Sequence, residues 1–331
     1  MNSFKDVIGH DDILNYIRIA SKSQTVSHAY IMYGEKGSGK KMLANLFANT
    51  LLCEKGLEDP CNDCGACKQI EAGTHPDLIY VTHEKEASIG VEDIRRQIGD
   101  TVDIRPYQGK YKIYIMDNAQ IMTTEAQNAL LKILEEPPSY VVIMLLTDNV
   151  DALLSTITSR CVMLRIHQIR EELIASYLVA NEGIDEEYAK ALAAFSRGNI
   201  GRAKDYLHNE DYKAVVTSAL SFLTNIGEMS TSDLINRVKE ALKYKVTINE
   251  YLDIMLVWFR DILLYKATYD VRKVIFVDRL KTIKDLAMRC SYEDIQYIID
   301  RIRESKKRIS ANVNFELTIE LLFTVIKEIC G

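Results

Sequence analysis

Between a short apolar run, AYIMY (29–33), and a segment carrying Leu43, Leu46, Phe47 and Leu51 on one helical face lies Gly34-Glu-Lys-Gly-Ser-Gly39-Lys40. Strand, GxxxxGK, helix is the context a phosphate-cradling P-loop requires. Its glycines, Gly34, Gly37 and Gly39, let backbone N–H groups converge on phosphate oxygens. The helix N-terminus adds partial positive charge. Lys40 would reach the β and γ phosphates. A glycine-rich turn with a chance lysine is the plain alternative, and the flanking elements weigh against it.

Such a loop implies a parallel α/β sheet, and the first half of the chain supplies its strands. LIYVT (78–82), YKIYIM (111–116), VVIMLL (141–146) and VMLRI (162–166) are apolar runs rich in β-branched or aromatic residues. Runs apolar on both faces predict strands covered by helices on either side. All five prolines lie in the first 138 residues, so this is the turn-rich half. From about residue 170 the period becomes helical. Leu234, Ile235, Val238 and Leu242 recur at one-face spacing, as do Leu252, Met255, Leu256, Phe259, Ile262 and Leu263. An α/β unit followed by a long helical stretch predicts separate helical domains, with a boundary near SRGNIGRA (196–203). The length of 331 residues suits two or three domains. No apolar run approaches the roughly 18 residues of a membrane span. The N-terminus lacks the basic-then-apolar layout of a signal peptide. A cytoplasmic protein with reduced thiols is therefore expected. A net charge of −6 argues against coating nucleic acid by bulk charge.

Two positions depart from a working ATPase. The residue after Lys40 is normally Ser or Thr, whose hydroxyl binds Mg²⁺; here it is Lys41. A protonated lysine has no lone pair to offer a metal. The strand YKIYIM ends in Asp117, which would help hold Mg²⁺, but Asn118 follows. A carboxamide is a poor general base. The expectation is a nucleotide fold that binds ATP or ADP weakly, or binds without hydrolysing.

Cys53, Cys61, Cys64 and Cys67 form C-x7-C-x2-C-x2-C, while Cys161, Cys290 and Cys330 are scattered. Four thiols within fifteen residues of a cytosolic chain point to metal ligands rather than disulfides. A Cys₄ set suits structural Zn²⁺. An iron–sulfur cluster is the rival, although the ferredoxin run continues x3-Cys-Pro and this one does not. Ordinary free thiols remain the third reading. A direct DNA reader is disfavoured, since the spacing is not that of a Cys₂His₂ finger.

HAYIMYGEKGSGK, the four-cysteine insert, NALLKILEEPP (128–138), Ser159-Arg160-Cys161, SRGNIGRA and NVNFELTIELLF together resemble the bacterial clamp-loader subunits of the AAA+ class. The resemblance covers nearly the whole chain. It implies an AAA+ P-loop-like domain over 1–168 with a zinc insert at 53–67, a small helical lid over 169–207, and a helical collar over 208–331. Two subunit types of that family carry the zinc module: an ATP-hydrolysing tau/gamma motor and delta-prime, a non-hydrolysing stator. With Lys41, Asn118 and an end at Gly331 the chain resembles the stator type; the motor type is the alternative. The resemblance further implies that Arg160 reaches the ATP of a neighbouring subunit, and that Arg202 occupies the phosphate-sensing position. The implied partners are tau/gamma and delta subunits in a hetero-pentamer of DNA polymerase III, the sliding clamp, and primer-template DNA.

Two helical segments complete the reading. Thr124-x-x-Gln127 fits a capping box for a helix over 124–134, with Ala126, Leu130, Ile133 and Leu134 facing the core and Pro137 ending it. Glu135 and Glu136 read as a solvated helix end. Arg301, Arg303, Lys306, Lys307 and Arg308 form a basic run whose plain reading is a solvated face, against a contact with DNA or a neighbouring subunit.

Overall fold

A computed structural model of the chain describes residues 3–23, 25–56, 58–83, 87–311 and 313–331. Five strands appear where apolar runs predicted them: β1 (Ala29–Tyr33), β2 (Leu78–Val81), β3 (Lys112–Met116), β4 (Val141–Thr147) and β5 (Val162–Arg165). All pair parallel in the order β2-β3-β4-β1-β5. Register sets Tyr30 beside Met144 and Val162, and Tyr33 beside Thr147 and Arg165.

The period of two explains the runs. Tyr30, Met32, Ile113, Ile115, Val142 and Met144 enter one apolar cluster, with Ile17 of α1 (Asp11–Ser23) and Leu43 and Phe47 of α2 (Lys40–Leu52). Ala29, Ile31, Tyr114, Met116, Ile143 and Leu145 enter the other. A short α3 (Gly65–Glu71) belongs to the cysteine insert, and α4 (Val91–Ile94) covers the second face with α5 (Thr124–Glu135) and α6 (Ser155–Thr158). These inward apolar side chains pack on apolar partners, worth about 1.5–3 kcal/mol for each large residue fully buried. In α5, Ala126, Leu130 and Leu134 are buried as expected and Ile133 is half-buried.

One local expectation is corrected. The N-cap of α5 is Thr123, whose hydroxyl accepts from Ala126 N, and no Thr124–Gln127 box forms. Gln127 is buried instead. Its amide donates to Met122 O and Ala152 O and accepts from Leu154 N. A glutamine that bridges to a later segment cannot be told from a capping glutamine by spacing alone.

Contact density divides the chain into two compact units: 1–173 with 199–201, and 174–198 with 202–331. The second is helical: α7 (Glu171–Glu182, beginning in the first unit), α8 (Glu186–Ser196), α9 (Ile200–His208, its first two residues in the first unit), α10 (Glu210–Asn225), α11 (Thr231–Ala241), α12 (Ile248–Thr268), α13 (Leu280–Arg289), α14 (Tyr292–Ser310) and α15 (Phe315–Cys330). Its central helix is α12, buried nearly all round, with Trp258, Phe259 and Met255 fully enclosed. Asp253 enters that interior by pairing with Arg197 (2.8 Å) and Lys306 (2.6 Å). In α11, Leu234 and Val238 face inward, but Ile235 is exposed. No helix among the described residues is long and apolar enough to cross a membrane.

Candidate functional site

Parallel strands place all their carboxyl ends at one edge, and the loop Gly34–Lys40 lies there, following β1. Gly34 donates to Thr147 O (3.2 Å). A Cβ at Gly34 would lie 2.8 Å from Ile166 O, so only glycine fits. Gly37 and Gly39 hold φ of +84° and +92°, the left-handed region glycine enters without strain. Gly39 is the N-cap of α2 and has no side chain to offer, so the first N–H groups of the helix are left for a ligand. Ser38 adds a buried hydroxyl with no protein partner. This backbone suits an anionic phosphate.

The side chains suit catalysis less well. Lys40 turns back on the loop, its Nζ donating to Gly34 O and Glu35 O, both at 2.8 Å. Burial lowers its pKa, against the opposing pull of Asp148, Asp117 and Glu35. Asp117 directly follows β3 and accepts from its neighbour Asn118 N (3.0 Å). Asn118 is exposed and adopts a φ of +53°. Lys41 is exposed, with its ammonium 5.9 Å from the Tyr80 ring centroid, a cation–π distance. The position that would carry the Mg²⁺ ligand thus carries a cation.

Three neighbours of the loop escaped the sequence reading. Asn199 Nδ2 donates to Lys36 O (2.7 Å), and Gly201 N donates to Gly37 O (3.1 Å). A Cβ on Gly201 would sit 2.5 Å from Gly37 O, so the close approach requires glycine. Asp148 follows β4 at the same edge; the rule that ligands gather at the carboxyl ends of parallel strands would have found it. Beside the loop, His10, Arg165, His167 and Arg170 line a cleft of about 190 Å³. Burial is the main cause that lowers the His10 pKa. Arg202 comes directly after Gly201 and falls in the second compact unit.

Arg160 lies at the opposite edge. It precedes β5, so strand register sets it about six residues below Gly34, roughly 20 Å at ~3.3 Å per residue. Its Nη1 donates to Thr156 O (3.0 Å) and lies 3.5 Å from Ser159 Oγ. Its Nη2 pairs with Glu135 Oε1 at 3.2 Å. Burial pushes the adjacent Cys161 thiol up to about 12, as for a packed, unreactive cysteine.

The four clustered cysteines come together. Cys53 is the C-cap of α2 and Cys64 the N-cap of α3, and all four Sγ atoms lie within 4.8 Å of one another. Cys61 and Cys67 are 3.9 Å apart, close to the roughly 3.8 Å edge of a tetrahedron with ~2.3 Å metal–sulfur bonds. Backbone N–H groups of Asp63 and Cys64 aim at Cys61 and lower its thiol to about 6, whereas burial raises that of Cys67. Glu54 braces the insert by accepting from Ala66 N (3.0 Å). The set fits a four-coordinate metal ion.

In the second unit the basic run is largely paired with its own neighbours. Glu304 takes both Arg301 and Arg308, Asp300 takes Arg303, and Asp253 takes Lys306. Three carboxylates thus stand against five cations, so the run is paired in part and keeps a net positive charge.

Comparison with known proteins follows the same division. A model of "DNA polymerase III, delta subunit" matches residues 9–170, and one of its C-terminal part matches 203–328. The delta' subunit of Bacillus subtilis is 30% identical over 92% of this chain and 92% of its own length. The tau subunit of the same organism is also 30% identical over 92% of this chain, but the chain spans only 58% of that relative's length. A DNA polymerase III gamma subunit-related protein of Thermotoga maritima is similar in structure, with a TM-score of 0.48 and 19% identity over 97% of this chain and 100% of that one. The P-loop sheet followed by helical segments is that of the AAA+ class. With both halves matched and a relative covered over nearly its full length, the chain belongs to the clamp-loader subunit family of DNA polymerase III.

Proposed function

We propose that this chain is the delta-prime-type stator of a DNA polymerase III clamp loader and hydrolyses no ATP itself. The observation that carries the reading is the separation of Arg160 from the chain's own phosphate loop, by the length of the sheet. A guanidinium so placed cannot serve its own nucleotide. It is always charged and forks onto phosphate oxygens, so it suits a nucleotide bound by an adjacent subunit, where such an arginine stabilises transition-state charge in trans. Lys41 and Asn118 support the same reading, because metal and water lack their usual ligands. Gly34, Gly37, Gly39, Lys40 and Asp117 then form a degenerate site that holds ATP or ADP weakly.

In this reading 1–168, 169–207 and 208–331 act as P-loop-like domain, lid and collar. The complex is a cytoplasmic hetero-pentamer with tau/gamma and delta subunits that loads the sliding clamp on primer-template DNA. The metal is Zn²⁺, held by Cys53, Cys61, Cys64 and Cys67; with four thiolates and no open position its role is structural. Metal analysis should find one zinc per chain, and a visible iron–sulfur absorbance would overturn that assignment.

The rival, an ATP-hydrolysing tau/gamma-type motor, draws on the intact loop and on equal identity to tau. Reconstitution with partner subunits decides between them. Arg160→Ala should lower DNA-stimulated ATP turnover of the complex about 10-fold or more, while the isolated chain shows none. Magnesium-dependent turnover by the isolated chain, abolished by Lys40→Ala, would establish the motor instead.

A further inference from the structure

We propose that Glu135 is a positioning residue for Arg160, setting the plane in which the guanidinium is offered to the neighbouring subunit's nucleotide. The inference rests on the trans-acting role proposed for Arg160.

Glu135 is the last residue of α5, where unpaired carbonyls already give the helix end partial negative charge. Glu136 and then Pro137 and Pro138 follow, and the two prolines bring no N–H to those carbonyls. Proline also fixes its own φ, which makes the α5 terminus a stiff mount. Onto it Glu135 Oε1 holds Arg160 Nη2 in an ion pair at 3.2 Å, while Thr156 O, in α6, accepts from Nη1 at 3.0 Å. Two acceptors from separate elements engage two different nitrogens of a rigid planar fork. One would leave the group free to swivel; both together define its plane. A guanidinium has five N–H donors, so these bonds leave it able to fork onto an oxyanion.

The pair is partly exposed, with side-chain exposures of 38% for Arg160 and 54% for Glu135. Surface ion pairs contribute little to stability. Its value therefore lies in orientation: a misplacement of about 1 Å can cost on the order of 100-fold in rate.

The test uses the reconstituted complex, with ATP turnover measured in the presence of clamp and primed DNA. Five forms are compared: wild type, Glu135→Gln, Glu135→Asp, Arg160→Ala and the double variant of Glu135→Gln with Arg160→Ala. Glu135→Gln should lower kcat about 3- to 10-fold with KM for ATP and the melting temperature of the subunit unchanged. Glu135→Asp should recover part of the loss. The double variant should match Arg160→Ala, because Glu135 acts only through that arginine. If Arg160→Ala is impaired but Glu135→Gln keeps full kcat, the positioning role is overturned and the trans arginine stands. A Glu135→Gln deficit of equal size in the Arg160→Ala background also overturns it. Full turnover in Arg160→Ala removes both.

Discussion

The two edges of one sheet differ in what they have kept. At the carboxyl edge the backbone of the phosphate loop is intact, down to glycines that no other residue could replace. The chemistry there is altered: a lysine over Tyr80 where a metal ligand belongs, and a carboxamide after Asp117. At the amino edge Arg160, the guanidinium proposed to act in trans, is held from two sides. Asp77, just before β2, accepts from the backbone N–H groups of Tyr107, Gln108 and Gly109 (2.7–3.0 Å), which lead into β3. The lesson is that glycines and apolar layers preserve a loop's shape without the residues that manage magnesium and water. In the proposed reading one edge has lost a reaction while the other keeps a part in a neighbour's.

The sharpest way to break this comparison is to damage each edge in the same complex. Arg160→Ala should cost about 10-fold or more in turnover, whereas Lys40→Ala should leave turnover within about 2-fold. Equal losses would mean that both edges work. Removing metal from the cysteine insert should come next. Chelation or Cys64→Ser should lower the melting temperature of the isolated chain, measured by circular dichroism, because a structural metal contributes folding energy directly.

Asp77→Asn should destabilise the amino edge by about 1–3 kcal/mol, as an NH₂ replaces an acceptor facing backbone donors; urea unfolding measures it. The effect carries a pH signature. Burial works to raise the Asp77 pKa, but the N–H bonds from Gly109, Gln108 and Tyr107 outweigh it and the net shift is downward. Its contribution is therefore present above the unfolded value of about 3.9 and lost as pH falls through the lower folded value. The difference in unfolding free energy between wild type and Asp77→Asn should shrink below about pH 4. Asp261, inside α12, has the opposite sign: burial pushes it up to about 6, despite bonds from Phe276 N and Ile275 N. The smallest effect is expected from repairing the carboxyl edge. Lys41→Thr with Asn118→Glu should give weak magnesium-dependent hydrolysis with stability within about 0.5 kcal/mol of wild type. Complete inactivity would show that more than these two groups has been lost.

Much of this was legible because periodicity and glycine placement are local. A run apolar at every position demands cover on both faces, and β1 through β4 received it, whereas the edge strand β5 buries Leu164 on one face and leaves Met163 and Arg165 exposed on the other. The cysteine spacing also survived folding, since two short helices bring Cys53 and Cys64 together by their ends. Illegible were the partners joined across long separations. Gln127 bridges to 152 and 154 rather than closing a cap, and Gly201 meets Gly37. Glu135 read as a solvated helix end, since spacing along one helix says nothing of a guanidinium that follows another strand.

By itself the sequence determined the sheet, the phosphate loop, the missing magnesium ligand and the four-thiol set, because each depends on residues close in the chain and on chemistry inherent to their types. Only the tertiary structure decided that Arg160 stands a sheet's length from that loop, that Glu135 shares its guanidinium, and that Asp253 and Glu304 pair with members of the basic run. Strand direction and helix packing set those distances, and they arise from the burial of apolar faces contributed by the whole chain.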